Sequence, residues 1–380
     1  MKIHQGRSFL EGAREAVDEL VAGWALEGSA PSLILVFAST KQDPAAIAAE
    51  LGRRFPGVPM AGCSTTGEMS DGHHSRGSVV ATAVVSPEVR WATTRIRGMR
   101  GYQDAQGKEA VERLASALSM SSTEVDPREW VCMLFADGLS LKEEIVAASV
   151  TEHLQGVPLA GGSAGDDLAF KRTFVIEGGE ALEDAAVLLL AHAPHGCDVL
   201  KHQHFLATQQ PLVVTKVDTE ARRVYEFSGR VARDAYAAAL GLAPADLTGD
   251  ATFMHPVVFA CEGQLYVRSI QKIEDDGSIV FFCAVEEGMV LDVGGHEAMQ
   301  PALERDVAAF RERFGKAELL ISFNCILRAL EADKAGAHEA LGALVQGCAA
   351  ASVGFDTYGE SFNGLHINQT MVAVAFRSAA

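Results

Sequence analysis

Two hydrophobic periods run through this chain in a fixed order. Short apolar runs at 33–37, 131–135 and 319–323 have the length and composition of buried strands. A second apolar run follows each, at 79–85, 186–190 and 371–376. Helical spacing fills the intervals at 45–55, 107–118, 142–154, 231–240 and 299–314. The opening segment 8–26 puts Phe9, Ala13, Ala16, Val17, Leu20, Val21 and Trp24 on one helical face. Beyond residue 250 the pattern turns to antiparallel β. Runs at 257–261, 265–273 and 279–285 are separated by a Gly263-Gln264 turn and an Asp275-Asp276-Gly277 turn, the second a strong hairpin signal.

Within each pair of apolar runs lies a loop that is written three times. Gly57-Val58-Pro59-Met60-Ala61-Gly62-Cys63-Ser64-Thr65-Thr66-Gly67-Glu68 is matched by Gly156-Val157-Pro158-Leu159-Ala160-Gly161-Gly162-Ser163-Ala164-Gly165-Asp166-Asp167. A looser copy is Ser352-Val353-Gly354-Phe355-Asp356-Thr357-Tyr358-Gly359-Glu360. The expected fold is α/β, with repeated β-α-β-β units forming mixed sheets and two related halves. The turn-rich stretch 241–250 marks the boundary. It divides the chain into 1–245, holding tandem repeats at about 27–125 and 126–240, and 246–380.

Composition narrows the functional classes. A net charge of −18 over 380 residues argues against a nucleic-acid binder, since phosphate affinity needs clustered Lys and Arg. No apolar stretch approaches the roughly 20 residues that span a bilayer. The first residues lack the apolar core of an export signal, so the expected setting is the cytoplasm, with no membrane partner. Cysteines number seven and form no Cys-x-x-Cys pair. Cys132, Cys261, Cys283 and Cys325 fall in strand-like runs and read as reduced core thiols, and no zinc site is indicated.

Candidate chemistry gathers in three places. The small-residue loops, through Ser64, Thr65 and Ser163, are either tight crossings or half-sites whose exposed N–H groups hold an anion. Glu68, Asp167 and Glu360 occupy matching positions and either cap a turn or recognise an amine. Cys63 has Gly162 and Phe355 as counterparts and no evident activating histidine, which argues against a nucleophile. Toward the C-terminus, Cys325, Arg328, Tyr358, Glu360, Asn368 and Gln369 are unusually polar for residues bordering apolar strands. Arg328 either offers its fork to a ligand carboxylate or propionate, or pairs internally with Glu360. Histidines bear on haem, which needs an axial side chain in an apolar pocket. His202 and His204 alternate along 199–206 and face one side, whereas His73 and His74 lie in a polar connection and read as solvated. His204 and His366 are the leading axial candidates.

The run from Gly62 to Glu68 resembles the signature of the FIST N domain. Phe323-Asn324-Cys325-Ile326-Leu327-Arg328, the run from Gly354 to Glu360, and His366-Ile367-Asn368-Gln369-Thr370 resemble the FIST C domain, in the right order. Two positions depart from the pattern: Ile367 interrupts a more usual His/Asn-Gln-Thr ending, and Leu327 stands where a small residue is usual. The resemblance implies a sensory, small-ligand-binding protein of signal transduction. Such proteins occur near histidine kinases and cyclic-di-GMP enzymes. Amino acids are proposed ligands, and a NosP-type branch binds haem and senses nitric oxide. The leading expectation is a sensor that is not an enzyme and signals to a separate partner. The alternatives are an enzyme using Cys63 or the Arg328/Glu360 pair, and a non-binding scaffold.

Overall fold

The aliphatic runs become the parallel centre of three six-stranded sheets, each built on one plan. The computed structural model describes residues 1–26, 28–120, 125–261 and 263–378. In the first sheet, Leu33–Ser39 lies parallel to Met60–Thr65 and antiparallel to Val79–Val85. In the second, Trp130–Ala136 pairs in the same two ways with Leu159–Ser163 and Ala185–His192. In the third, Ala317–Cys325 does so with Ala349–Thr357 and Met371–Phe376. Their strands are buried nearly throughout, which is why they read as continuous apolar runs.

The hairpin that follows each repeated loop leaves its own sheet and extends another. Glu68–Ser70 and His73–Ser75 complete the third sheet, Val175–Glu177 and Glu180–Leu182 the first, and Glu360–Phe362 and Leu365–Ile367 the second. The exchange is cyclic. Phe37, Phe135 and Phe323, at matching strand positions, meet with Phe355 at its centre. Their ring centroids are 4.8 to 6.3 Å apart and all four are fully buried.

Contacts divide the chain into two compact units. One comprises Met1–Lys201, Glu304–His366 and the residues from Met371 onward; the other comprises His202–Leu303 and Ile367–Thr370. The first holds the three sheets. The second is an antiparallel sheet of eight strands packed on Ala232–Ala239, with Leu212, Val224, Phe227, Tyr236, Phe281 and Leu291 in its core. Its Asp-Gly hairpin forms as the sequence indicates, pairing Ile270–Ile273 with Ile279–Phe281.

Three local readings change. The opening segment is a strand, Lys2–Ser8, followed by a shorter helix, Ala13–Ala22. That strand is a half-exposed edge whose alternating polar residues carry no apolar period. The run at 199–206 splits into Cys197–His202 and Phe205–Asp218, the latter bulged around Gln209, where φ is +62°. Cys261 is exposed at the end of its strand rather than buried.

Candidate functional site

The repeated loops are superposable by register. Gly62, Gly161 and Gly354 pair with Val36, Leu134 and Ser322 on the parallel neighbour. At each, a Cβ would overlap the carbonyl oxygen of that partner, so the shared glycine is demanded by close approach of two backbones. Position by position, Ser64, Ser163 and Asp356 are then equivalent, as are Thr65, Ala164 and Thr357, and Glu68, Asp167 and Glu360.

The carboxylates at the loop ends accept local hydrogen bonds. Glu68 accepts from Thr65 Oγ1 at 2.5 Å and from Ser78 N and Oγ at 3.1 and 2.6 Å. Burial pushes its carboxyl up to about 7, against the lowering effect of those bonds. Thr357 Oγ1 donates to Glu360 in the same manner. The second copy has Ala164 in place of the threonine, so Asp167 turns elsewhere, accepting from Ser39 Oγ, Thr40 N and Thr40 Oγ1 at 2.7 to 3.0 Å. Ser64 donates to Gly165 O and accepts from Phe174 N, at 2.7 and 2.9 Å. Cys63 is fully buried, and burial pushes its thiol well above the usual range, which removes the thiolate a nucleophile needs.

The third sheet carries a different arrangement at its strand ends. Asn324 and Asp356 face each other across the parallel pair, and Asn324 Nδ2 donates to Asp356 Oδ1 at 2.8 Å. Arg328 lies in the first turn of the helix Ile326–Ala335 that springs from Cys325, and its Nε donates to Asn324 Oδ1 at 3.0 Å. The guanidinium is fully buried. Desolvation brings it down to about 10, opposed by the charges of Glu331, Glu360, Cys325 and Asp356. The strand ends of a parallel sheet, beside a helix N-terminus, are where α/β folds present ligand sites. Arg328, Cys325 and Glu360 are thus brought into one electrostatic group. Tyr358 is held nearby: its hydroxyl donates to Asp166 Oδ1 and its ring stacks on Phe170 at 4.7 Å. Asp166 also accepts from the backbone of Phe170, Lys171 and Arg172 at 2.6 to 2.8 Å.

The sequence reading missed Asp356 and His74. Far from being solvated, the His74 side chain is 13% exposed, and its Nε2 lies 2.6 Å from Asp356 Oδ2. Asp356 had a legible signal: it is the one copy with a carboxylate where its siblings have serine.

Ser163 lies beside Tyr358: its N–H donates to Gly359 O at 2.8 Å and its carbonyl accepts from Tyr358 N at 3.2 Å. Ser163 is buried, and its hydroxyl makes no hydrogen bond among the described residues. Asn368 and Gln369 fall in the other compact unit. There Gln369 accepts from Ser269 Oγ at 2.7 Å and donates to Phe253 O at 2.9 Å, while Asn368 Oδ1 is buried and accepts none among the described residues. His204 is buried in the same unit, its ring 4.5 Å from Phe205, 5.2 Å from His296 and 6.2 Å from His202. His366 is buried in the strand Leu365–Ile367. Hollows of about 500 Å³ along 109–117 and about 300 Å³ beside 52–59 and 177–178 are lined by neither histidine.

Three exchanged-hairpin sheets, with a buried polar group at the strand ends of one of them, define an α/β protein of mixed sheets. Residues 32–230 match the FIST N domain and residues 232–363 the FIST C domain, and the chain belongs to the FIST family. FIST domains are generally taken to be small-ligand sensory domains of signalling proteins. A search of the curated proteins finds no match to the chain. Among the described residues no helix is long and apolar enough to cross a membrane.

Proposed function

We propose that this chain is a sensor for a small amino-acid-like metabolite, bound at the strand ends of the third sheet. The observation that carries this reading is the buried Arg328, held by Asn324 with Asp356, Glu360 and Glu331 in its field. Burying a guanidinium costs several kcal/mol unless its partners compensate, so an arrangement of this kind answers either to fold specificity or to a ligand. A zwitterion suits it: Arg328 takes the carboxylate, and the surrounding acids take the ammonium. Cys325, Tyr358 and Glu360 would border it, with Ser64, Thr65 and Ser163 from the other loops. Asn368 and Gln369 are proposed as ligand-binding residues of the other compact unit, taken by itself. Ligand binding would favour one arrangement of the fold and pass that bias to a partner, a histidine kinase or cyclic-di-GMP protein of the cytoplasm. In this reading 1–245 and 246–380 are the two modules of one sensor, descended from repeats, and the chain is not an enzyme.

Haem and nitric oxide form the other input the family suggests, through His204 or His366. Both histidines are buried, and haem stays the alternative ligand of this reading.

The test is thermal stabilisation by a panel of amino acids and their decarboxylated or deaminated analogues. A ligand present at 100 times its Kd stabilises by about 2.7 kcal/mol, which is several degrees in Tm. Stabilisation by an intact amino acid, lost in Arg328→Lys, is the expected result. A panel that leaves Tm unmoved, or a Soret band in freshly purified protein, overturns it.

A further inference from the structure

The exchanged hairpin of residues 68–75 is held on the third sheet by a line of ionisable groups. Its strand Glu68–Ser70 pairs with 353–355, and Asp71 Oδ1 accepts from Ser352 N at 3.2 Å. Its turn is pressed against the helix His338–Gln346 so closely that a Cβ on Gly342 would overlap the Gly72 carbonyl oxygen. Inside that clamp His74 meets Asp356 at 2.6 Å and stacks on His338 with centroids 4.1 Å apart and planes 18° apart. His338 Nε2 lies 2.7 Å from Asp333 Oδ1, and Arg76 NH2 donates to Asp333 Oδ2 at 2.6 Å. Asp356 is in turn bonded to Asn324, and Asn324 to Arg328. One continuous chain therefore joins a partly exposed surface pair to the buried guanidinium.

We propose that His74 is a proton-operated latch that fastens the 68–75 hairpin to the third sheet and transmits its charge to the Arg328 group through Asp356 and Asn324. Among the described residues the ionisable groups that act on it are Asp356 from the strand Ala349–Thr357, Asp333 from the helix Ile326–Ala335, His338 from the following helix, and Arg76 from the hairpin's own segment. Burial works against the imidazolium, and the Arg76 charge opposes it too. The hydrogen bond and charge of Asp356, with a contribution from Asp333, outweigh both and raise His74 above 6.5. A histidine whose proton is held more tightly when folded stabilises fully below its unfolded value of about 6.5, and that contribution is lost as pH rises through the folded value. The latch is closed in mild acid and loosens as pH rises through the raised value. Asp333 behaves in the opposite sense: burial raises it, Arg76 and His338 lower it further, and its contribution is lost only toward strong acid. The two windows do not overlap.

The control of Arg328 rests on the ligand reading above, whereas the latch does not, and the experiment separates them. Hydrogen exchange of the 68–75 amides in the full chain is followed from pH 6 to pH 9, corrected for intrinsic rates, alongside a nitrogen-15 titration of the imidazoles. In the unmodified protein, protection falls roughly threefold or more with rising pH and His74 titrates above 6.5. In His74→Gln, which keeps a donor for Asp356, that fall disappears. It persists in Glu68→Gln, which removes the other hairpin group titrating in this range. A fall unchanged in His74→Gln, or a His74 titration at or below 6.5, overturns the latch. If His74 titrates as stated but no ligand's affinity varies with pH between the unmodified protein and His74→Gln, the latch stands and its control of Arg328 falls.

Discussion

The first and third sheets use the same loop at the same place, and one residue separates them. In the first, the position after Gly62 and Cys63 is Ser64, whose hydroxyl donates to a backbone carbonyl and accepts from a backbone N–H of the second copy's segment. In the third, the position after Gly354 and Phe355 is Asp356, fully buried and tied to Asn324 and His74. Serine satisfies the fold there. A carboxylate does not improve on it, since burying a charge requires compensating partners that a hydroxyl does not need. The difference teaches that recurrence marks what the architecture demands, and departure from recurrence marks where chemistry has been added. The glycines recur because backbones touch. Asp356 does not recur, and the ionisable chain gathers around it.

The comparison breaks most severely at the shared glycine. Gly62→Ala, Gly161→Ala and Gly354→Ala each drive a methyl into a carbonyl oxygen within a parallel pair. Each is expected to destabilise by about 3 kcal/mol or more, with little difference among the three sheets, as read from urea midpoints. A Gly354→Ala variant of unmodified stability would show that the third sheet is not built like the others.

Next in size is the position that distinguishes the copies. Asp356→Ala leaves His74 and Asn324 without their acceptor in a buried setting, and about 3 kcal/mol is expected to be lost. Ser64→Ala leaves Phe174 N unsatisfied and is expected to cost about 1–2 kcal/mol. Equal costs would remove the distinction between a structural and an elaborated copy.

A smaller effect sharpens the contrast at the neighbouring position, where the copies carry Cys63, Gly162 and Phe355. The Cys63 thiol is sealed and shifted upward, whereas Cys261 is exposed in the other compact unit. Aromatic-disulfide labelling of the native protein is expected to modify Cys261 within minutes and to reach Cys63 only on unfolding. Rapid native labelling at Cys63 in mass-mapped digests would reopen nucleophilic chemistry there.

Much of the architecture was legible because buried parallel strands write themselves as apolar runs, and the close approach of two backbones writes itself as glycine. The hairpin exchange was not legible. Ser70 to Gly77 reads as a polar connection because its partners, Asp356, Asp333 and His338, lie more than 250 residues away in sequence. For the same reason His74 read as solvated. Arg328 was legible as a polar residue bordering apolar strands, but its bond to Asn324 was not, since that bond depends on where the helix leaves the strand. Comparing the three copies with one another, rather than each with a motif, singles out Asp356 before any coordinates are known.

The smallest expected effect falls at the middle copy, and it divides fold from ligand most cleanly. Ser163 stands where Ser64 and Asp356 stand, it is buried, and its hydroxyl makes no hydrogen bond among the described residues. A buried hydroxyl without a partner costs roughly 1–3 kcal/mol, so its removal in Ser163→Ala is expected to leave stability unchanged or raise it by about 1 kcal/mol. The same change in Ser64→Ala is destabilising, because there the hydroxyl is used. The backbone N–H groups of Ser163, Ala164 and Gly165 are each already bonded to a carbonyl, so a ligand contact at this position falls to the hydroxyl. If Ser163→Ala is neutral in the ligand-free melt and weakens the stabilisation given by the best metabolite of the panel, the second copy contributes to the site. If it leaves that stabilisation unaltered, the binding function belongs to the third copy alone.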